Sequence, residues 1–306
     1  MPLTYDQISA ITLKKIVPKM VDNIFDSNPL MQRAKKKFYT SVDGGTSILQ
    51  PLNYAQASAG GWYAGAETLD NTDNDVITSA EYSWKQIYKS VSISRIDEIK
   101  NNGDAAKLKL VKNKVQIAEK SIMDDMGTGL WNSGSDAKAI AGLRHILSTS
   151  NTVGGISQTT YSWWAAQVDS TTTTLSIAAM QSRFQACTIG SDQPSVILTT
   201  RALFNSYYAL LQPQQRFQDS ETADGGFQNL QFNGKPVIVD SHAPASHMAF
   251  LNEDYLALYY SPIENFRMTE FDSPLNQNVK VAHIYWAGAF GSSNNRMHGL
   301  LSAAAA

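Results

Sequence analysis

The sequence of 306 residues predicts a mixed α+β protein with one long helix, an extended two-stranded segment and an alternating α/β unit. Apolar residues recur every three or four positions over 105–126, which predicts the helix. Aromatic and glycine-rich segments in 41–94 predict the extended part, and alternating helix and strand patterns over 141–261 predict the α/β unit. Residues 1–40 and the tail at 262–306 complete this division.

Composition restricts the classes of function only weakly. Charged residues make up 17% of the chain, below the roughly 25% that is typical of globular domains. Such a surface suits permanent contact between subunits, although many enzymes share it. The net charge of −2 argues against a dedicated nucleic-acid binder, and a single cysteine, Cys187, excludes an internal disulfide. No apolar run approaches the roughly 18 residues of a membrane span, and no secretion signal is recognisable, so we expect a soluble protein made in the cytoplasm.

The first 40 residues predict an arm rather than a domain. Apolar residues between Ile8 and Val17 fit a short helix that ends at Pro18, and Asn28-Pro29 forms a second break. A basic run follows it, comprising Arg33, Lys35, Lys36 and Lys37. Because this segment has too few apolar residues to form a core, we expect it to lie along another surface. The basic run either contacts a polyanion or an acidic neighbour, or simply keeps the segment soluble.

Residues 41–94 predict a long two-stranded excursion. Thr46 to Asn53 is the outgoing strand, and a Gly/Ala/Ser stretch surrounds Trp62 and Tyr63. The return leg from Glu81 to Ile93 alternates, with three aromatic side chains on one face (Tyr82, Trp84, Tyr88) and three aliphatic ones on the other (Ile87, Val91, Ile93). Because an isolated two-stranded ribbon is marginal in water, both apolar faces must be covered. A neighbouring subunit is the simplest cover.

The long helix is predicted to begin at the capping residue Asp104 and to span about 33 Å over 105–126. Its apolar stripe consists of Leu108, Val111, Val115, Ala118, Ile122 and Met126, and we expect Gly127, Gly129 and Gly134 to end it. Lysines that include Lys107 and Lys112 lie largely off the stripe. They form either a strip that faces a polyanion or an ordinary solvated helix face.

Helices and strands alternate in the α/β unit. The predicted helices are Leu175–Ala186 and Ala202–Leu211, and the predicted strands are Ser195–Leu198, Lys235–Val239 and Met248–Leu251. Two further strands, Phe266–Phe271 and Val279–Ala287, are predicted in the tail.

The sequence contains no recognisable catalytic, cofactor or metal constellation. His242 and His247 are five residues apart in a loop, which is not the spacing that directs two imidazoles to one metal on a helix. Nucleophile-elbow, phosphate-loop and dinucleotide-binding motifs are absent. We therefore expect no enzyme, cofactor or metal site. The rival hypothesis is a cytoplasmic α/β enzyme with a site near Asp240 and His242.

Several stretches occur in an order that resembles the major capsid proteins of tailed bacteriophages with the HK97-type fold. They are Gly142–Ile146, Tyr161–Trp164, Leu198–Thr200 leading into Tyr207-Tyr208, Gly226–Val237 and Phe250–Asn252. The resemblance covers essentially the whole chain. It implies an N-terminal arm (1–40), an extended β-hairpin loop (41–94), a peripheral domain with its spine helix (95–140 and 262–306, spine 105–126) and an α/β axial domain (141–261).

The resemblance also implies a function. Copies would form pentamers and hexamers in an icosahedral shell around double-stranded DNA, with Trp62, Tyr63, Trp84 and Tyr88 between subunits. Weak, non-specific contact with DNA would come from Arg33, Lys35, Lys36, Lys37, Lys107 and Lys112 on the inner surface. The implied partners are a separate scaffolding protein, a portal and, in some shells, cement proteins. Assembly would take place in the bacterial cytoplasm without a membrane.

Two features qualify this resemblance. No heptad run precedes the arm, so a scaffold would be supplied by a separate protein or removed beforehand. Lys85 is a conceivable donor for a covalent cross-link, but no matching Lys, Asn and Glu arrangement is evident and we expect none. An encapsulin-type shell, which has the same fold but encloses cargo proteins, is the first alternative.

Overall fold

The computed structural model describes residues 28–56, 58–69, 72, 75–100, 104–172, 174–211 and 230–302, and for Glu98 and residues 104–109 it describes the backbone alone. The helix predicted within the first 17 residues therefore lies outside the described residues. The helices with described bounds are α1 Pro29–Lys37, α2 Arg95–Lys100, α3 Asp104–Leu130, α4 Leu143–Ile146, α5 Ile177–Ala186 and α6 Arg201–Leu211.

The strands form two main sheets and two small hairpins. In chain order they are β1 Tyr39–Ser41, β2 Ile48–Asn53, β3 Ile77–Tyr82, β4 Lys85–Ser94, β5 Thr152–Val153, β6 Ile156–Ser157, β7 Gln167–Asp169, β8 Val196–Thr199, β9 Gln231–Phe232, β10 Lys235–Val239, β11 His247–Leu251, β12 Leu256–Met268, β13 Val279–Ser292 and β14 Gly299–Ser302. Short 3₁₀ turns occur at Ser162–Trp164, Glu253–Tyr255 and Asn295–Met297.

The four-stranded sheet has the order β1-β12-β13-β4, and helix α3 packs against it. The apolar stripe predicted for the helix is confirmed from Val111 to Met126, where each of its residues is buried. Trp286, at the centre of β13, is completely buried in the same core. The second tail strand begins at Val279 as predicted and extends past Ala287 to Ser292. The first is misplaced, because β12 begins at Leu256 and ends at Met268, so it shares only three residues with the predicted Phe266–Phe271. Its additional length pairs with the end of β13.

Helix α3 does not end where the sequence predicts. It has 27 residues, about 40 Å, and runs through Gly127 and Gly129 to Leu130. Gly127 serves close packing instead, because a Cβ there would lie 2.5 Å from Cε1 of His242 and 2.6 Å from Nδ2 of Asn28. Gly134, beyond the helix, has a φ of +79° and occupies the turn that follows.

The six-stranded sheet has the order β7-β14-β11-β8-β10-β9 and carries α5 and α6. Its core includes Met180 and Phe184 from α5 and Leu203 and Tyr207 from α6. The last strand, β14, is grouped by the sequence prediction with the peripheral domain, but here it pairs with β11 and β7. The tail thus passes from the four-stranded sheet into the six-stranded one.

The return leg predicted as one strand from Glu81 to Ile93 is two strands in different sheets. β3 pairs with β2 only as far as Tyr82, and β4 pairs with β13 from Lys85 onward. Tyr82 lies at this break; its side chain is buried, and its hydroxyl donates to the carbonyl oxygen of Ser292 at 2.7 Å. This bond fixes the end of the β2–β3 hairpin against β13.

Candidate assembly surfaces

The loop between β2 and β3 is anchored at its root and exposed at its tip. At the root, the ring of Tyr54 stacks on Trp163 with 5.4 Å between centroids, and its hydroxyl donates to the carbonyl oxygen of Asp75. The side chain of Trp62 is wholly exposed, and Tyr63 and Leu69 are largely exposed. Exposed aromatic side chains on a projecting loop are typical of a surface that another molecule covers.

One face of the hairpin is covered by the chain itself. Leu52, Ala80 and Tyr82 point inward and are buried, whereas Leu49 and Ile77 on the opposite face are exposed. The expectation that both faces need a second subunit therefore applies to the outer face and the loop tip alone.

The four aromatic residues predicted between subunits do not share one environment. Trp62, Tyr63 and Tyr88 are exposed. Trp84 is half-buried, and its Nε1 donates to the carbonyl oxygen of Gly45 at 3.0 Å. The structure therefore leaves three of the four available to a neighbour and gives the fourth a role within the chain.

Tyr88 belongs to an aromatic cluster on the face of the four-stranded sheet opposite to α3. Its ring lies 6.1 Å from that of His283 and 6.4 Å from that of Tyr285. His283 and Tyr285 are two residues apart on β13, and the pairing of β4 with β13 brings Tyr88 beside them.

Two members of the basic run contact a buried carboxylate. The Glu253 side chain is 1% exposed, and Arg33 donates to both of its oxygens, with Nη2 at 2.7 Å from Oε2. Lys37 lies 3.0 Å from Oε2, and the Ser195 hydroxyl donates to the same oxygen at 2.8 Å. Burial by itself raises the pKa of Glu253, but the hydrogen bonds from these three residues outweigh it and the net pKa is lowered.

The other predicted basic residues have different settings. Lys36 and Lys112 are exposed. Lys35 is exposed and also takes part in an interaction within the chain. The side chain of Lys107 lies outside the described residues.

Asp240 and His242, the centre of the rival enzyme hypothesis, fasten α3 to the six-stranded sheet. Asp240 is buried and accepts hydrogen bonds from Trp131 Nε1 at 3.1 Å and from the backbone N–H of His242 at 2.9 Å. The His242 ring lies between two carboxylates, with Nε2 at 3.1 Å from Asp124 Oδ1 and Nδ1 at 3.4 Å from Asp240 Oδ1. Sequence reasoning missed Trp131 and Asp124, because no local pattern links them to a loop more than 100 residues away.

A buried histidine joins the two sheets at a second point. His298 lies between β13 and β14, and its Nδ1 accepts from the backbone N–H of Asn252 at 3.3 Å. Nε2 is therefore the protonated nitrogen and can donate to Ser292 Oγ at 3.1 Å. Burial lowers the pKa of His298 to about 3, so the ring is neutral near pH 7.

Within the described ranges, no group of three or more His, Cys, Asp or Glu residues could hold a metal ion. A search of the same residues finds no helix with the length and hydropathy needed to cross a bilayer.

No family model matches the chain, and no curated protein sequence matches it. Solved structures do match. The cyanophage A-1(L) capsid asymmetric unit aligns with a TM-score of 0.65 and 17% identity over 90% of this chain and 93% of that chain. The capsid of a native GTA particle aligns with a TM-score of 0.61 and 12% identity over 89% of this chain and 90% of that chain.

The holo-SrpI encapsulin complex from Synechococcus elongatus PCC 7942 aligns with a TM-score of 0.56 and 11% identity over 89% of this chain and 86% of that chain. All three are subunits of shells, and each likeness extends over nearly the whole of both chains. The expected fold is therefore confirmed: the chain has the HK97-type fold found in phage capsids and encapsulins.

Proposed function

We propose that the protein is a major capsid protein that assembles into the icosahedral head shell of a tailed phage around its double-stranded DNA. The observation that carries this proposal is the extent of the likeness, which covers 90% of this chain and 93% of the cyanophage capsid subunit. A likeness that extends over nearly the whole of both chains supports a whole shell subunit rather than a shared core with another task.

In this proposal the aromatic loop contacts neighbouring subunits within pentamers and hexamers. The side chains of Trp62 and Tyr63 are exposed in the single subunit. Burying one aromatic side chain in an interface contributes about 1.5–3 kcal/mol to association. The contact recurs in every copy, so a modest gain per subunit stabilises the whole shell. Tyr88, with His283 and Tyr285, offers a second exposed aromatic surface for such contacts.

Contact with DNA is weak and non-specific in this proposal, because the net charge is −2. The exposed Lys36 and Lys112 are better candidates for it than Arg33 and Lys37, whose charges face the buried Glu253. A separate scaffolding protein, a portal and cement proteins would be the partners. The protein would reside in the virion after assembly in the host cytoplasm.

An encapsulin-type compartment is the second candidate, and the match to the SrpI encapsulin complex favours it. The two functions differ in content, because a capsid encloses nucleic acid and an encapsulin encloses protein.

Negative-stain microscopy of the expressed protein tests the proposal, followed by nuclease treatment and analysis of what the particles protect. We expect closed shells that package nuclease-resistant DNA when phage partners are co-expressed. Shells that instead retain a specific cargo protein would support the encapsulin function. A monodisperse monomer or dimer at high concentration would contradict both.

The loop is tested by replacing Trp62 and Tyr63 together with alanine, and in a matched control with phenylalanine. The alanine variant should fold, because neither side chain is buried in the subunit, but should form few shells or none. The phenylalanine variant retains the aromatic area and should assemble. Normal shells from the alanine variant would exclude the loop tip as an assembly contact.

A further inference from the structure

We infer that α1 is an internal lock that holds the angle between the two sheets and, through it, the curvature of the shell. This inference rests on the proposed function, because curvature has a meaning only for a subunit that tiles. Three contacts along α1 carry it, at its N-terminus, in its middle and just after its C-terminus.

The middle contact lies at the crossover from one sheet to the other. Glu253 belongs to the turn between β11 of the six-stranded sheet and β12 of the four-stranded sheet. Arg33 and Lys37, one turn apart on α1, meet its carboxylate, and Ser195, just before β8, donates to the same group. The Glu253 backbone N–H returns a hydrogen bond to Ser195 Oγ at 3.1 Å. A forked Arg–carboxylate pair has one preferred geometry, so it defines the position of α1 relative to the crossover.

The N-terminal contact lies beside α3, close to the loop that follows β10. Asn28 caps α1, and its Oδ1 accepts from the backbone N–H groups of Leu30 and Met31 at 2.9 and 3.2 Å. The absence of a side chain at Gly127 lets this cap and the His242 ring approach α3 closely. The end of α1 therefore lies where helix α3 meets the loop that follows β10.

The third contact ties the chain after α1 to the four-stranded sheet. The carbonyl oxygen of Phe38 accepts from the backbone N–H of Leu258 at 2.8 Å, and β1 then runs parallel to β12. Phe38 is itself buried in the core below this sheet. The segment Asn28–Phe38 thus meets α3, the crossover between the two sheets and the four-stranded sheet.

A closed shell of pentamers and hexamers requires its subunits to meet within a narrow set of angles. In the proposed shell each sheet supplies part of the contact surface, so a change in the angle between the two sheets changes the angle between neighbouring subunits. If the lock is loosened, subunits also sample angles outside that set. Assembly then yields several particle diameters or unclosed sheets, while pentamers and hexamers still form.

Glu253→Gln tests the lock, because the amide keeps the shape of the side chain and removes its charge. We expect particles whose diameters, measured by cryo-electron microscopy, spread more widely than those of the wild type or shift from them. Lys138→Gln, at an exposed lysine without a role in the lock, is the surface control. Met180→Ala, in the core under α5, is the control for lost stability, and both controls should retain the wild-type diameter.

A single wild-type diameter in Glu253→Gln shells would overturn the inference, even with a lowered melting temperature. If that variant gives no soluble protein, Arg33→Lys is used in its place, because lysine keeps a positive charge near Glu253 but cannot form the forked pair. A broadened or shifted diameter supports the lock, and an unchanged one refutes it. Absence of particles from the wild type would be a failure of the proposed function itself, and the lock would fall with it.

Discussion

Replacing Gly127 with alanine should destabilise the protein, whereas the same change at Gly129, in the same helix, should not. A Cβ at position 127 would lie 2.5 Å from Cε1 and 2.6 Å from Nδ1 of His242, and 2.6 Å from Nδ2 of Asn28. Nothing lies within 4 Å of a Cβ at position 129. The two substitutions therefore share one gain in helix propensity and differ only in the contacts of one methyl group.

The magnitude follows from these distances. Alanine in a helix is favoured over glycine by about 0.8–1 kcal/mol, an upper limit near the end of α3. At position 127 this gain is opposed by overpacking of about 1–3 kcal/mol. Neither neighbour can yield cheaply, because Asn28 caps α1 and His242 is held between two carboxylates. Displacing the cap adds about 0.5–2 kcal/mol, so the net loss for Gly127→Ala is about 0.5–4 kcal/mol.

The assay is differential scanning calorimetry of the wild type and both variants, purified in the same assembly state. Gly127→Ala should melt several degrees lower, since about 1 kcal/mol corresponds to roughly 2–4 °C in proteins of 150–250 residues. Gly129→Ala should melt at the wild-type temperature or slightly above it. A Gly127→Ala variant as stable as Gly129→Ala would refute the close approach of α1, α3 and the His242 loop.

Three further predictions concern single buried contacts. The pKa of His298 is about 3 in the folded protein and about 6.5 when unfolded, so the unfolded chain binds the extra proton and stability falls as pH drops through that interval. Urea titrations should show this as about 3 kcal/mol lost between pH 7.5 and pH 4.5, and His298→Gln should lack that component. Tyr82→Phe removes the donor to Ser292 and leaves a buried carbonyl oxygen short of a partner, so it should cost about 1–3 kcal/mol in the same titration; an unchanged midpoint would argue against the bond. Gly154→Ala places a methyl group 2.6 Å from Cβ of Ala80, at a residue with a φ of +60°. The melting temperature of this variant should fall. An unchanged melting temperature would mean that the β5–β6 hairpin moves to accommodate the methyl group.

The elements with a repeating pattern could be predicted from sequence because burial imposes the pattern. The stripe from Val111 to Met126 recurs with the period of a helix, and each of these residues is buried against the sheet. Strand β10 lies where its apolar run predicts, at Lys235–Val239. The exposure of Trp62 and Tyr63 could also be predicted, because a glycine-rich segment around large aromatic side chains cannot form a core of its own.

The glycines and the polar contacts between the sheets could not be predicted in the same way. Gly127 was interpreted as a helix terminator. The sequence shows that the residue lacks a side chain, but it does not show that the His242 ring packs into the space this leaves. Asp240 and His242 suggested chemistry, yet their partners Asp124, on α3, and Trp131, just after it, are more than 100 residues away in sequence. The charge of Arg33 suggested a solvent-facing role, and its buried partner Glu253 is 220 residues away.

The sequence by itself determined the long helix, the alternating α/β unit and the projecting aromatic loop, because each depends on the periodicity or composition of one continuous segment. The tertiary structure alone decided which of these surfaces stay open and how the two sheets are held together. That outcome depends on contacts between residues far apart in the chain, such as Tyr88 with His283 and Arg33 with Glu253. Such contacts arise only when strand register and helix packing are fixed in space, and no local pattern encodes them.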